Sequence, residues 1–215
     1  MRSENVHNVV RIIRREVKQW PVPAIAHYVE TPFTVLISCL LSLRTQDRTT
    51  NAASERLFGI ANTPQAMLAT PVSVIEKNIY PVSFYRVKAR TIHAICTELF
   101  SRFSGEVPSN LEDLLTLPGV GRKTANIVVT LAFRKPGIAV DTHVHRISNR
   151  LGYVRTRSPE DTEMALRKKL PRRYWIVYND LLVAYGQNLC KPISPFCSKC
   201  KIAGYCKRVG VKTRR

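Results

Sequence analysis

The chain has 215 residues, 45% hydrophobic and 23% charged, the balance of a globular protein long enough to bury a real core. Lys and Arg number 34 against 15 Asp and Glu, a formal net charge of +19 that points to a polyanionic partner, nucleic acid being the commonest. The longest apolar run, Phe33 to Leu43, is too short to span a bilayer, and Arg11, Arg14, Arg15 and Glu16 interrupt any early secretory signal, so an intracellular protein is expected.

The elements read as helices almost throughout. Val6, Val9, Val10, Ile13 and Val17 share one face of an opening helix, which "WPVP" at 20–23 should end. Thr31-Pro32, Thr63-Pro64, Thr70-Pro71 and Ser158-Pro159 each set a capping hydroxyl before a proline, the signature of a helix start. "FTVLISCLLSL" is apolar nearly all round and predicts a helix at the centre of a lobe. "FYRVKARTIHAICTELFSRF" (84–103) predicts a long amphipathic helix, and the isolated Cys39 and Cys96 are expected in the core. Ser109 and Glu112 make a capping-box pattern for "LEDLLTL". Pro136 and Gly137 in "RKPGIAV" mark a boundary, with two interlocked helical lobes expected rather than independent domains.

The stretch "LPGVGRKTAN" (117–126) joins a short helix, about 110–117, to another, about 121–134. Gly119 and Gly121 permit a sharp turn and a close approach by another backbone. Backbone N–H groups around Gly119, Val120, Gly121 and Arg122, beside a helix N-terminus, suit a phosphodiester, as in a helix-hairpin-helix that grips DNA without reading sequence. Lys123 falls in the first turn of the second helix, where the helix dipole and Arg122 both disfavour an ammonium. A lysine poised to be neutral can attack an aldehyde-level carbon and form a Schiff base; one that simply touches phosphate is the competing reading.

Further on, "AVDTHVHRISNRLG" places Asp141 as the N-cap of a helix ending at Gly152. A carboxylate held by backbone N–H bonds stays ionised and can stabilise positive charge developing on a sugar. His143 and His145 lack metal-ligand spacing and are expected to play structural or supporting roles. Cys190, Cys197, Cys200 and Cys206 form Cys-x6-Cys-x2-Cys-x5-Cys, which in a reducing compartment reads as a site for zinc or an iron–sulfur cluster. Spacing alone leaves both open. Lys191, Lys199, Lys201, Lys207 and Arg208 around these cysteines could press the loop on a DNA backbone.

In this order and spacing, "LPGVGRKTAN", "VDTHVHR" and the cysteine tail resemble endonuclease III, a family of helix-hairpin-helix DNA glycosylases with a [4Fe–4S] cluster. The resemblance runs over essentially the whole chain. It implies an all-α, two-lobed fold with DNA crossing a central cleft: a six-helix barrel lobe at about 24–135 carrying the hairpin, and a lobe of 1–23 plus 136–215 holding the cluster. It further implies that Lys123 is the nucleophile and Asp141 the catalytic aspartate, and that the four cysteines bind [4Fe–4S] rather than zinc. The implied activity is a bifunctional DNA glycosylase and AP lyase of base excision repair. It would act on double-stranded DNA, excise oxidised pyrimidines and cut 3′ to the abasic site; a monomer is the default expectation, which nothing in the sequence addresses.

One segment departs from the family pattern. "LSLRTQD" puts Arg44 where the family typically has a glutamine that helps fill the gap left by a flipped nucleotide. A planar guanidinium suits pairing with guanine or stacking. Phe84 in "PVSFYRVKA" aligns with the second gap-filling residue, where an apolar wedge is apt. Arg44 keeps open a thymine or uracil mismatch glycosylase of the same superfamily. An adenine glycosylase fits poorly, since that group lacks the lysine and carries a further C-terminal domain, whereas this chain stops nine residues after Cys206. A non-catalytic structural DNA binder would have no use for Lys123 together with Asp141.

Overall fold

The computed structural model describes residues 3–20 and 31–215. Among the described residues there are eleven α-helices and no strand, so the fold is all-α as expected. The helix-ending prolines Pro21 and Pro23 lie outside the described residues. The chain divides into two compact units, Ala24–Lys135 and Met1–Pro23 with Pro136–Arg215.

The first unit is built on α2 (Pro32–Ser42), buried from Phe33 to Leu41 as its all-round apolar sequence demands. Thr31 caps it: its hydroxyl accepts the Thr34 N–H, the Thr34 side chain accepts the Thr31 N–H, and Pro32 opens the first turn. Around α2 pack α3 (Asp47–Ile60), α6 (Tyr85–Phe103) and α8 (Arg122–Leu131), while α4 (Pro64–Ala69) and α5 (Val72–Ile79) lie on α6. The single turn α7 (Leu111–Leu114) packs on α8. Cys39 and Cys96 are both buried in this unit.

Two expected caps are corrected. Thr63 caps α4 as anticipated, but Thr70 turns back and donates to the Ala66 carbonyl, so α5 starts at Val72 with no side-chain cap. The α7 cap is Asn110, whose carbonyl oxygen accepts the Asp113 N–H at 2.8 Å, while the Ser109 hydroxyl accepts from Lys135. A side-chain carbonyl reaches the N3 amide from one residue later, and Asn ranks with Ser among capping residues. The helix of the hairpin also stops at Leu131, short of 134.

The second unit joins α1 (Val6–Glu16), α9 (Thr142–Arg150), α10 (Pro159–Lys169) and α11 (Trp175–Asn188) around one core. Val6, Val9, Val10 and Ile13 supply its α1 stripe, with Ile147, Leu151, Tyr178, Leu182 and Tyr185 among the facing residues. Ser158 caps α10 through the Asp161 N–H. The α9 and α11 helices pack closely because position 186 is glycine: a Cβ there would collide with the His143 ring and the Arg146 guanidinium. Two buried tyrosine hydroxyls are satisfied, Tyr153 donating to the Lys169 carbonyl and Tyr178 bonding Ser148. No helix among the described residues is long and apolar enough to cross a membrane.

Candidate functional site

In the first unit, the segment from Leu115 to Gly121 turns the chain from α7 into α8. Gly119 has φ +70, a backbone conformation that side chains disfavour, and a Cβ there would come within 2.9 Å of Thr91 Cγ2. Glycine is therefore needed at 119 by the fold itself. Gly121 differs. Its φ is −91, and a Cβ would meet no protein atom within 4 Å.

Gly121 is the N-cap of α8 and supplies no side-chain cap, a condition α8 shares with α1, α3, α5, α6 and α11, but at α8 the N-cap is a glycine. Gly121 itself is exposed, so α8 begins at a side-chain-free corner suited to an anionic oxygen. Val120, buried between the two glycines, anchors the turn by donating its N–H to Leu117 O at 3.2 Å. Arg122 and Lys123 follow, both half-buried. Lys123 sits near α2: burial pushes the Cys39 thiol up to about 12, with the positive charge of Lys123 pulling the other way.

Arg44 and Phe84, forty residues apart, are brought together in this unit. The Arg44 guanidinium lies 5.5 Å over the Phe84 ring, and Phe84 is 61% exposed. Each occupies a left-handed backbone conformation, φ +57 and +58, unusual for residues with side chains. Beneath them is Lys88, which motif reading missed. Its ammonium donates to Leu41 O at 2.8 Å, Leu43 O at 2.7 Å and Thr45 Oγ1 at 3.3 Å. Burial lowers the Lys88 ammonium to about 8.

Asp141 belongs to the second unit and caps α9. One carboxylate oxygen, Oδ1, accepts the His143 N–H at 2.9 Å and the Val144 N–H at 2.8 Å. Both bonds fall on the same oxygen, so the cap leaves Oδ2 out of its geometry. The two histidines are structural here: His143 Nδ1 bonds Arg146 at 3.0 Å and His145 Nδ1 bonds Thr162 at 2.7 Å.

All four tail cysteines line one cavity in this unit, with Ile147, Arg150, Tyr185 and Phe196. Among the described residues, no three His, Cys, Asp or Glu side chains stand as ligands of a single ion would. The donor set nevertheless fits a thiolate-bound group. Arg150 Nη1 approaches Cys190 Sγ at 3.4 Å, the Arg208 N–H points to Cys206 Sγ at 3.4 Å, and the Tyr185 hydroxyl meets Cys200 Sγ at 3.2 Å. Burial raises the Cys200 and Cys206 thiols, so a bound metal group would have to displace their protons.

The frame of this loop is a pair of arginines one turn apart on α9, also missed by motif reading. Arg146 donates twice to Cys190 O, and Arg150 donates to Lys191 O at 2.7 Å and Pro192 O at 2.6 Å. Burial lowers the Arg146 guanidinium. Lys191 is exposed beside the Phe196 ring, and Lys199, Lys201 and Lys207 are exposed as well. The "R-x3-R" spacing in "VHRISNRLG" was the available signal for the pair.

Residues 37–172 match the profile of the HhH-GPD superfamily of base excision DNA repair proteins. An endonuclease III of Thermotoga maritima is 46% identical over 200 residues, covering 93% of this chain and 92% of that protein. Among solved structures, a non-covalent endonuclease III–DNA complex is similar with a TM-score of 0.87 at 35% identity, over 97% of this chain and 96% of that one. A trapped covalent endonuclease III–DNA intermediate is similar with a TM-score of 0.86 at 35% identity, over 97% of each chain.

Proposed function

Because the chain belongs to the HhH-GPD superfamily of base excision DNA repair proteins, and within it to the endonuclease III family, we propose that it is a bifunctional DNA glycosylase and AP lyase acting on oxidised pyrimidines in double-stranded DNA. The observation that carries this reading is the uncapped glycine start of α8 with Lys123 in its first turn. That arrangement offers a phosphate site made of backbone and a nucleophile one step from it.

In the proposed reaction the damaged base is flipped out of the stack, and the amides at Gly119, Gly121 and Arg122 grip the backbone. The Lys123 Nζ lone pair adds to C1′ of the deoxyribose as the C1′–N bond breaks and the base departs with the bonding pair. Asp141 stabilises the positive charge that develops on the sugar and accepts a proton from the amine. Opening of the C1′–O4′ bond gives the Schiff base. Loss of a C2′ proton then expels the 3′ phosphate and cuts the strand. Arg44 and Phe84 fill the space vacated in the duplex, and Lys191 meets the backbone. Cys190, Cys197, Cys200 and Cys206 would hold a [4Fe–4S] cluster, which supplies a rigid staple for the loop.

Borohydride trapping on thymine glycol, dihydrouracil and abasic duplexes tests the reading. The expected result is a covalent complex with the native chain and none with Lys123→Gln, which retains DNA binding. Strand cleavage by Lys123→Gln would refute the assignment. Trapping confined to G·T or G·U pairs would transfer the substrate class to mismatches.

A further inference from the structure

Lys88 is 7% exposed, yet nothing in a glycosylase reaction calls for a buried lysine on the far side of α6 from solvent. Its three acceptors are informative. Leu41 O and Leu43 O are carbonyls at the C-terminal end of α2, which α-helical bonding leaves without amide partners. The ammonium therefore caps α2 at the point where the chain leaves it for Arg44. Its third acceptor, Thr45 Oγ1, lies on the other side of Arg44 and also accepts the Ser83 N–H at 3.2 Å. Ser83 immediately precedes Phe84. One side chain thus holds the residues on both sides of Arg44 and, through Thr45, the residue before Phe84.

We propose that Lys88 is a positioning residue that locks the Arg44 and Phe84 turns into one rigid pair and so sets how strictly the enzyme reads the base opposite the lesion. The inference rests on the reading of Arg44 and Phe84 as the residues that enter the duplex. Both are held at φ near +57 without glycine, conformations that persist only where surrounding bonds over-determine them. The Lys88 side chain, with bonds of 2.8 and 2.7 Å to two carbonyls that flank the turn, is the group that does so at Arg44. An Arg44 free to swing would offer its fork to guanine and adenine alike. Held over the Phe84 ring at 5.5 Å, it presents one edge in one orientation.

The test compares Lys88→Met, which keeps the length of the stem and removes the donors, with the native chain on two substrates. One is a duplex carrying a single dihydrouracil opposite guanine or adenine; the other has a one-nucleotide gap opposite the lesion. The expected loss in kcat/KM is about tenfold greater on the intact duplex than on the gapped one, the scale on which misplaced positioning groups act. The ratio of rates opposite guanine and adenine should move toward one. In addition, the loss in Lys88→Met combined with Arg44→Ala should fall short of the product of the two single losses, since Lys88 acts in part through Arg44.

Equal losses on the two substrates, or additive effects with Arg44→Ala, would overturn the proposal by showing a general structural role. Unchanged discrimination by a folded Lys88→Met would overturn it as well. If Lys88→Met fails to fold, Thr45→Val, which removes the hydroxyl joining Lys88 to the Ser83 N–H and leaves both Lys88 carbonyl bonds in place, is used instead with the same expected change in ratio and the same overturning outcome. A native chain inactive on both substrates would instead sink the glycosylase reading on which the proposal stands.

Discussion

At Gly119 the backbone itself demands glycine, with φ +70 and Thr91 pressed against the missing Cβ. At Gly121 nothing in the protein does, and the open space is where a phosphate would approach. The two positions therefore separate stability from binding. Gly119→Ala should destabilise the fold by at least about 1–2 kcal/mol, the cost of a left-handed L residue, read as a lowered denaturation midpoint. Gly121→Ala, at an N-cap where alanine is a poorer choice than glycine, should cost about 0.5–1 kcal/mol, less than Gly119→Ala, while weakening binding to undamaged duplex severalfold, because its methyl group intrudes between amide and phosphate. Undiminished duplex binding by Gly121→Ala would show that the hairpin amides are not the phosphate site. Spacing in the sequence exposed this pair of glycines but not their division of labour, which depends on Thr91 reaching the turn from another helix. Lys88 was illegible for the same reason. On a helical pattern it reads as one more basic surface residue, and only the arrival of the α2 C-terminus gives its charge a buried partner.

Among the elements, α2 and the α4 and α10 starts were readable because their signals are local: an apolar run, and a hydroxyl followed by proline. Thr70-Pro71 carries the same dipeptide and fails, since Thr70 still closes the turn of α4 by donating to Ala66 O. Local pattern cannot tell a start from an end where two helices abut. Ser109 fails differently, its hydroxyl taken by Lys135 from the far end of the unit. On α9 the decisive residues face inward to the cysteine loop. Arg150, 9% exposed, is the one that spans Lys191 O and Pro192 O. Arg150→Met would remove two charge-assisted hydrogen bonds, worth up to about 1.5–3 kcal/mol each before water replaces them at these exposed residues. The expected outcome is a lower thermal midpoint and, for the [4Fe–4S] cluster proposed for this loop, fewer iron and sulfide equivalents per purified chain, while Lys191→Met, exposed on the same loop, leaves both unchanged. Full iron content in Arg150→Met would show that the loop holds its shape without the clamp.

For the whole molecule the governing quantity is the +19 charge, spread over both units rather than gathered in a single run. A protein that neutralises phosphates with Lys and Arg releases counterions, so its affinity for DNA falls steeply with salt. Binding to undamaged duplex should drop about a thousandfold between 50 and 200 mM salt if about six phosphates are contacted by cationic side chains. The slope distinguishes two kinds of grip. Backbone amides at the hairpin carry no net charge, so Gly121→Ala should lower affinity at every salt concentration and leave the slope of log K against log salt as it was. Lys191→Met removes a cation and should reduce the slope by about one. Measured together, the two variants apportion the hold on DNA between helix-terminal dipoles and side-chain charge. An unchanged slope in Lys191→Met would place the cysteine loop away from the phosphates and leave the duplex to be held by the remaining basic surface.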